Sequence, residues 1–114
     1  MSEDLFLKII DREIPASIVY ENEHVLAFRD INPQAPVHVL IVPKRRIRTI
    51  NEIEPGDEEL IGKLFSAARE IAAMEGLAEE GYRVVMNCNE AAGQTVWHIH
   101  LHLLGGRAMA WPPG

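Results

Sequence analysis

Val96-Trp97-His98-Ile99-His100-Leu101-His102-Leu103-Leu104 alternates between two kinds of side chain with a period of two, the pattern of a strand with unlike faces. As a strand it sends His98, His100 and His102 to one face and Ile99, Leu101 and Leu103 to the other. The apolar set suits packing beneath a helix. Three titratable rings stacked ~6.5–7 Å apart on the opposite face serve no packing need. The same nine residues therefore promise a sheet and a site.

Working outward, a second β-prone stretch runs from Tyr82 to Cys88, joined to the first by the loop Asn89-Glu90-Ala91-Ala92-Gly93-Gln94-Thr95. Before it, Pro55-Gly56-Asp57 marks a turn and an N-cap, after which Leu60, Ile61, Leu64, Phe65, Ala68, Ile71 and Ala72 recur at helical spacing. That helix is expected to run to about Glu75, with Gly76 as its C-cap residue. Further upstream lie Ser17 to Tyr20, Val25 to Asp30, and Val37 to Val42 bracketed by Pro36 and Pro43. Their connections are too short for crossover helices, so the pairing is expected to be antiparallel. At the start, Ser2 can cap a short helix whose Leu5, Phe6, Ile9 and Ile10 share a face, with Glu3 and Asp4 suiting its positive end and the helix stopping before Pro15. Five strands, one long helix and a short N-terminal helix describe the α+β class with an antiparallel sheet. No repeat or linker divides residues 1–114, so one domain is expected.

A chain of 114 residues with 47% hydrophobic content can bury about two-thirds of its unfolded surface. Its 11 basic and 17 acidic residues give a net charge of -6, which leaves no broad cationic surface for a nucleic-acid backbone or an anionic bilayer. A small molecule is the expected partner. Cys88 is the sole cysteine, so no intramolecular disulfide forms. Residues 1–10 lack a secretory pattern, and no apolar run approaches the ~20 residues of a membrane span. The cytoplasm is the expected location.

Of five histidines, His38 is central in another strand and His24 sits beside a turn. On residue chemistry alone the cluster admits two readings. Alternating imidazoles can bind zinc through ring nitrogens, although the neighbourhood offers no second cysteine and no carboxylate beyond the distant Asp30 and the loop residue Glu90. Alternatively one imidazole attacks an electrophile while its neighbours orient it and manage the leaving-group proton. An imidazole nucleophile points to phosphorus. The loop before the strand adds anion-handling capacity, because Gly93 lets backbone approach a ligand while Gln94 and Thr95 carry donors.

The motif His98-Ile99-His100-Leu101-His102-Leu103-Leu104 resembles the signature of the histidine-triad family. The resemblance extends through Phe6-Leu7-Lys8-Ile9-Ile10, Ile14-Pro15, Ala27-Phe28-Arg29-Asp30-Ile31-Asn32-Pro33-Gln34-Ala35-Pro36, Gly81-Tyr82-Arg83 and Gly105-Gly106-Arg107, and points to the Hint branch. It implies a purine nucleoside phosphoramidase that forms a nucleotidyl-histidine intermediate and releases AMP or GMP and an amine, with no metal or cofactor required. It further implies that His100 is the nucleophile, that His102 lies near the phosphate and leaving group, and that His98 and His38 support them. A backbone carbonyl near His98 is expected to fix the tautomer. Asp30 matches the acceptor of the ribose hydroxyls; Phe6, Ile9, Phe28, Ile31 and Leu40 match the base pocket; Asn87, Gln94 and Thr95 match the phosphate contacts. Without the resemblance those five apolar residues would read as core. Thr95 and Trp97 stand where serine and tyrosine are common, and Trp97 should face away from the triad. The resemblance also implies a homodimer, with the sheet continued across it and Trp111 of one subunit near the leaving-group side of the other. Rival readings are a nucleotide-binding regulatory or scaffold protein and a metal-dependent hydrolase.

Overall fold

The computed structural model describes residues 4–114, which form α1 (Leu5–Ile10), β1 (Ile18–Glu21), β2 (Val25–Arg29), β3 (Val37–Pro43), α2 (Glu58–Met74), β4 (Tyr82–Val85) and β5 (Leu101–Gly105). The sheet has five strands in the order β1-β2-β3-β5-β4, every neighbouring pair antiparallel. Both faces of its centre are covered, which explains why Val37–Pro43 reads as a nearly continuous apolar run rather than a clean alternation. One face, with Ala27, Val39, Ile41, Ile99, Leu101 and Leu103, packs against Leu64, Ala67, Ala68 and Ile71 of α2. The other carries Leu26, Phe28, Leu40 and Val42, covered by Phe6 and Ile9 of α1. The second face is only partly roofed, and the site lies in what α1 leaves open.

Several boundaries differ from the expectation, each for a local reason. The histidine strand was expected from Val96, yet its ladder begins at Leu101. Continuing the pairing of Ile41 with Leu101 would set Pro43 opposite Ile99. Proline has no N–H to give, the Pro43 carbonyl is taken by His98 Nε2 at 2.7 Å, and Ile99 N–H donates to Ile47 at 2.8 Å instead. Alternation outlives the ladder, so Ile99 still packs with the α2 face. β4 ends at Val85, which pairs with His102, three residues short of Cys88.

Ser2 lies outside the described residues. Asp4 caps α1, its Oδ1 accepting from the amides of Phe6 and Leu7 at 3.0 and 3.1 Å. In α2, Phe65 is 51% exposed and Ala67 takes the buried position instead. Asp57 stands at the N-cap of α2, but its carboxylate turns back to accept from Glu54 N–H. At the other end Gly76, with φ +77°, closes the helix while Leu77 N–H reaches Ala72 at 2.8 Å. Among the described residues no helix is long and apolar enough to cross a membrane.

Candidate active site

Register brings the site together. Phe28 pairs with Leu40, Leu40 with His102, and His102 with Val85, so one row across four strands forms a floor. Above it opens a cleft of about 280 Å³ lined by Phe6, Ile9, Phe28, Ile31, Leu40, Asp30, Thr95, His100 and His102, among others. Phe6 stands edge-on to the His100 ring, centroids 4.8 Å apart. The structure thus gathers most of the residues singled out from sequence around one opening. Phe6, Ile9, Phe28 and Leu40 are buried, whereas Ile31 is 99% exposed at the mouth and belongs to no core.

The partners of each ring assign its tautomer. His100 Nδ1 lies 2.8 Å from the His98 carbonyl, which can only accept, so Nδ1 carries the proton and Nε2 keeps a free lone pair. His38 Nδ1 accepts from the Gln34 amide at 3.0 Å. Its Nε2–H is therefore a donor, 2.9 Å from His102 Nδ1 and 3.4 Å from Asp30 Oδ2. With Nδ1 of His102 an acceptor, the proton of its neutral ring sits on Nε2. His98 is fully buried beneath α1 and lines no part of the cleft, so the expectation of three histidines presented alike holds for only two of them.

Burial is the main cause that pushes His100 below the usual value, and the positive charge of His98 adds to it. Burial, reinforced by His100 and His38, lowers His102 to about 4. His38 is also lowered by burial, against the pull of Asp30. Neutral rings at neutral pH follow. An unfolded His102 titrates near 6.5 and the folded one near 4, so between these values the unfolded chain binds a proton that the folded chain refuses. Stability on this account is unaffected above the unfolded value, falls as pH drops through 6.5, and stops falling below about 4. Thermal unfolding across that window should show Tm falling with acid, less steeply in His102→Asn. Equal slopes would remove this ring as the titrating group.

Asp30, distant from the triad in sequence, lies beside His38, and Asp30, His38 and His102 offer donor atoms within 4.8 Å of one another. The set looks suited to a divalent metal until the tautomer is considered. A histidine bound through Nε2 needs its proton on Nδ1, and there the Gln34 N–H already points at His38. The arrangement fits a hydrogen-bonded chain better than a ligand set.

The loop after β4 divides its work. Gln94 was expected to contact phosphate, yet its Oε1 accepts from Asn89 N–H and its Nε2 donates to the carbonyls of Arg48 and Val96. It is a buried strut, and the exposed Thr95 is the residue it delivers to the cleft. Gly93 has φ +92° with open space around it, a conformation that a side chain would strain. Asn87 lies outside the cleft lining, two residues past the last β4–β5 pair, Val85 with His102, and follows Met86, which packs on the α2 face. Trp97 is half-buried beneath Arg48, whose guanidinium sits 5.8 Å from the ring centroid.

Two contributors escaped sequence reading. Asp4 reaches His98 Nδ1 at 2.8 Å across 94 residues, and its only local signal was a capping residue before Leu5-Phe6. Ile14, Pro15 and Ala16 complete the cleft wall, and nothing in their spacing foretold it.

Known proteins place this arrangement. The purine nucleoside phosphoramidase of Escherichia coli K12 is 52% identical over 107 residues, covering 94% of this chain and 90% of its own. The 14 kDa zinc-binding protein of Zea mays is 53% identical over 99% of this chain and 89% of its own. The crystal structure of a HIT family hydrolase from Legionella pneumophila Philadelphia 1 superposes with a TM-score of 0.96 at 56% identity, over 97% of this chain and 99% of the other. A family model described as HIT domain matches residues 11–109, and with that match spanning every strand of the sheet and both cleft histidines, the chain belongs to the HIT domain family.

Proposed function

We propose that this protein hydrolyses purine nucleoside phosphoramidates through a nucleotidyl-His100 intermediate. The observation that carries the reading is the His98 carbonyl on His100 Nδ1, which leaves an unprotonated Nε2 at the cleft. The phosphoramidase name of the Escherichia coli relative supports the substrate class. The purine would lie against Phe6, Ile9, Phe28 and Leu40, and Ile31, uncovered in the free protein, would gain a partner. Asp30 would accept from the ribose hydroxyls, and Thr95, Asn87 and the backbone around Gly93 would hold the phosphate.

In the first step the Nε2 lone pair forms a bond to phosphorus and the P–N bond breaks. Its electron pair leaves on the amine, which takes a proton from water at the open side of the cleft. His102 offers Nε2–H to the phosphate oxygens as charge develops, with His38 and Asp30 fixing its ring. In the second step water attacks phosphorus and gives up a proton to the hydroxide left by the first, the P–N bond to His100 breaks with its pair returning to Nε2, and a nucleoside monophosphate departs. Mass spectrometry of protein quenched during turnover of an adenosine phosphoramidate tests the scheme: a nucleotidyl adduct on His100 is expected. Turnover lost on chelation and restored by zinc would favour the metal reading that the maize relative's name raises.

The tail belongs to the same reading. Arg83 donates to the Ala110 carbonyl at 2.9 Å, and Arg107 to those of Gln34 and Ala108, which holds the segment while Trp111 stays 83% exposed. A large ring so uncovered suits a partner surface. We infer a homodimer in which Trp111 borders the leaving-group side of the partner's cleft. Deleting residues 108–114 is expected to change kcat/KM ratios among phosphoramidates with different amines while AMP affinity moves little. Unchanged ratios would take the tail out of the mechanism, and a monomer in sedimentation would take away the dimer.

A further inference from the structure

His98 is 0% exposed, yet both its ring nitrogens end on acceptors. Nε2 lies 2.7 Å from the Pro43 carbonyl and Nδ1 lies 2.8 Å from Asp4 Oδ2. A carbonyl only accepts, so Nε2 carries a proton. The carboxylate of Asp4 is held as an anion: Oδ1 takes the amides of Phe6 and Leu7, and the Arg46 guanidinium, whose Nε–H donates to the Trp97 carbonyl at 2.9 Å, sets its positive charge 3.0 Å from Oδ2. Two amide donors on one oxygen and a guanidinium charge beside the other both favour the carboxylate over the neutral acid. Nδ1 of His98 must then donate as well, and the ring is an imidazolium clamped between α1 and the end of β3.

The main chain of this clamped residue supplies the carbonyl that holds His100 Nδ1–H. We propose that Asp4 is a positioning residue for the reaction, which fixes His98 as a doubly donating cation and through its carbonyl sets the tautomer and aim of His100. The proposal rests on His100 being the nucleophile. A buried ion pair of this kind adds little net stability compared with apolar side chains of equal volume, so its contribution here is to geometry. Asp4 also seats α1, which brings Phe6 edge-on to His100. A displaced clamp would loosen the nucleophile on two sides.

Nitrogen-15 NMR of the intact protein reads the ring directly, and His98 is expected to show two protonated nitrogens. Asp4→Asn keeps the size and one acceptor oxygen but removes the charge. It should lose one His98 ring proton and lower kcat by roughly tenfold to a hundredfold, with AMP affinity within about twofold because the ground state is not bound through His98. A folded Asp4→Asn with wild-type kcat would overturn the proposal. So would kcat and AMP affinity falling together with the His98 spectrum unchanged, the pattern of a helix cap alone. The wild-type spectrum needs no variant, so a misfolded Asp4→Asn leaves the test standing, and one bare nitrogen on His98 would end it. The two readings fail separately: a fully active His100→Gly would sink the nucleophile and leave the His98 spectrum as it is, whereas a bare His98 nitrogen would leave the His100 adduct in place.

Discussion

His100→Gly is expected to lower kcat by about a thousandfold or more, a loss of at least ~4 kcal/mol of transition-state stabilisation, while AMP still binds. The separation follows from where the ring acts. In the proposed mechanism its Nε2 bonds to phosphorus only during reaction, whereas the cleft that would hold the nucleotide is built mainly by Phe6, Ile9, Phe28, Leu40 and Asp30. Removing the imidazole would take away the proposed nucleophile and the edge-on contact with Phe6, and would leave the floor intact. Single-turnover kinetics beside calorimetric AMP binding would read both quantities. A variant that kept more than about a tenth of wild-type kcat, a loss under 1.4 kcal/mol, would show that another group attacks. The quenched variant should also carry no nucleotidyl adduct.

Asp30→Asn is expected to weaken AMP by about 1–3 kcal/mol and to weaken 2′-deoxy-AMP less, because in the proposed binding mode the carboxylate's charge-assisted bonds go to a diol. Two contacts already engage the group: Oδ1 accepts from Asn32 N–H at 2.8 Å, and Oδ2 lies 3.4 Å from His38 Nε2. The first contact shapes the turn after β2 and the second steadies the histidine chain, so the substitution probes three roles at once. Calorimetry with both nucleotides separates them. Equal weakening of AMP and its deoxy counterpart would assign Asp30 to the turn. A loss in kcat with binding unchanged would assign it to His38.

The sheet and the long helix were legible because their signals are local and repeated. Leu64, Ala68, Ile71 and Ala72 mark the buried face of α2 by spacing alone, and Ile99, Leu101 and Leu103 mark the helix side of the histidine strand by alternation. Phe65 misled because a helical stripe inferred from hydrophobicity alone cannot tell which border residue the sheet reaches; the smaller Ala67 fits there. Strand ends were harder still. Pairing stops where the partner stops, and Pro43 in β3 sets the start of β5 from some 58 residues away in the chain.

In the site, the pattern of His100 and His102 was readable because strand parity presents both to one side. Which rings line the cleft was not fixed by parity alone. His98 follows the same parity and is sealed by α1, an element whose position depends on long-range packing. Gln94 shows the converse: a residue type able to bind anions is consumed by backbone groups of Asn89, Val96 and the distant Arg48, and only the full hydrogen-bond account reveals it. Asp4 illustrates the general limit, since a contact spanning 94 residues leaves no mark in either neighbourhood.

The strand order has a consequence for how the chain comes to be made. β5 follows all the other strands in sequence, yet it lies inside the sheet, between β3 and β4. Until residues 101–105 have been synthesised and released from the ribosome, β3 offers a bare edge of Val37-His38-Val39-Leu40-Ile41-Val42, and β4 has no neighbour to pair with. Such an edge is a template for association between unfinished chains. The insertion that closes it is made by the histidine-bearing strand. Completion of the sheet and delivery of His100 and His102 to the cleft are thus one event, and a nascent chain that stalls before it is at once catalytically empty and prone to aggregate.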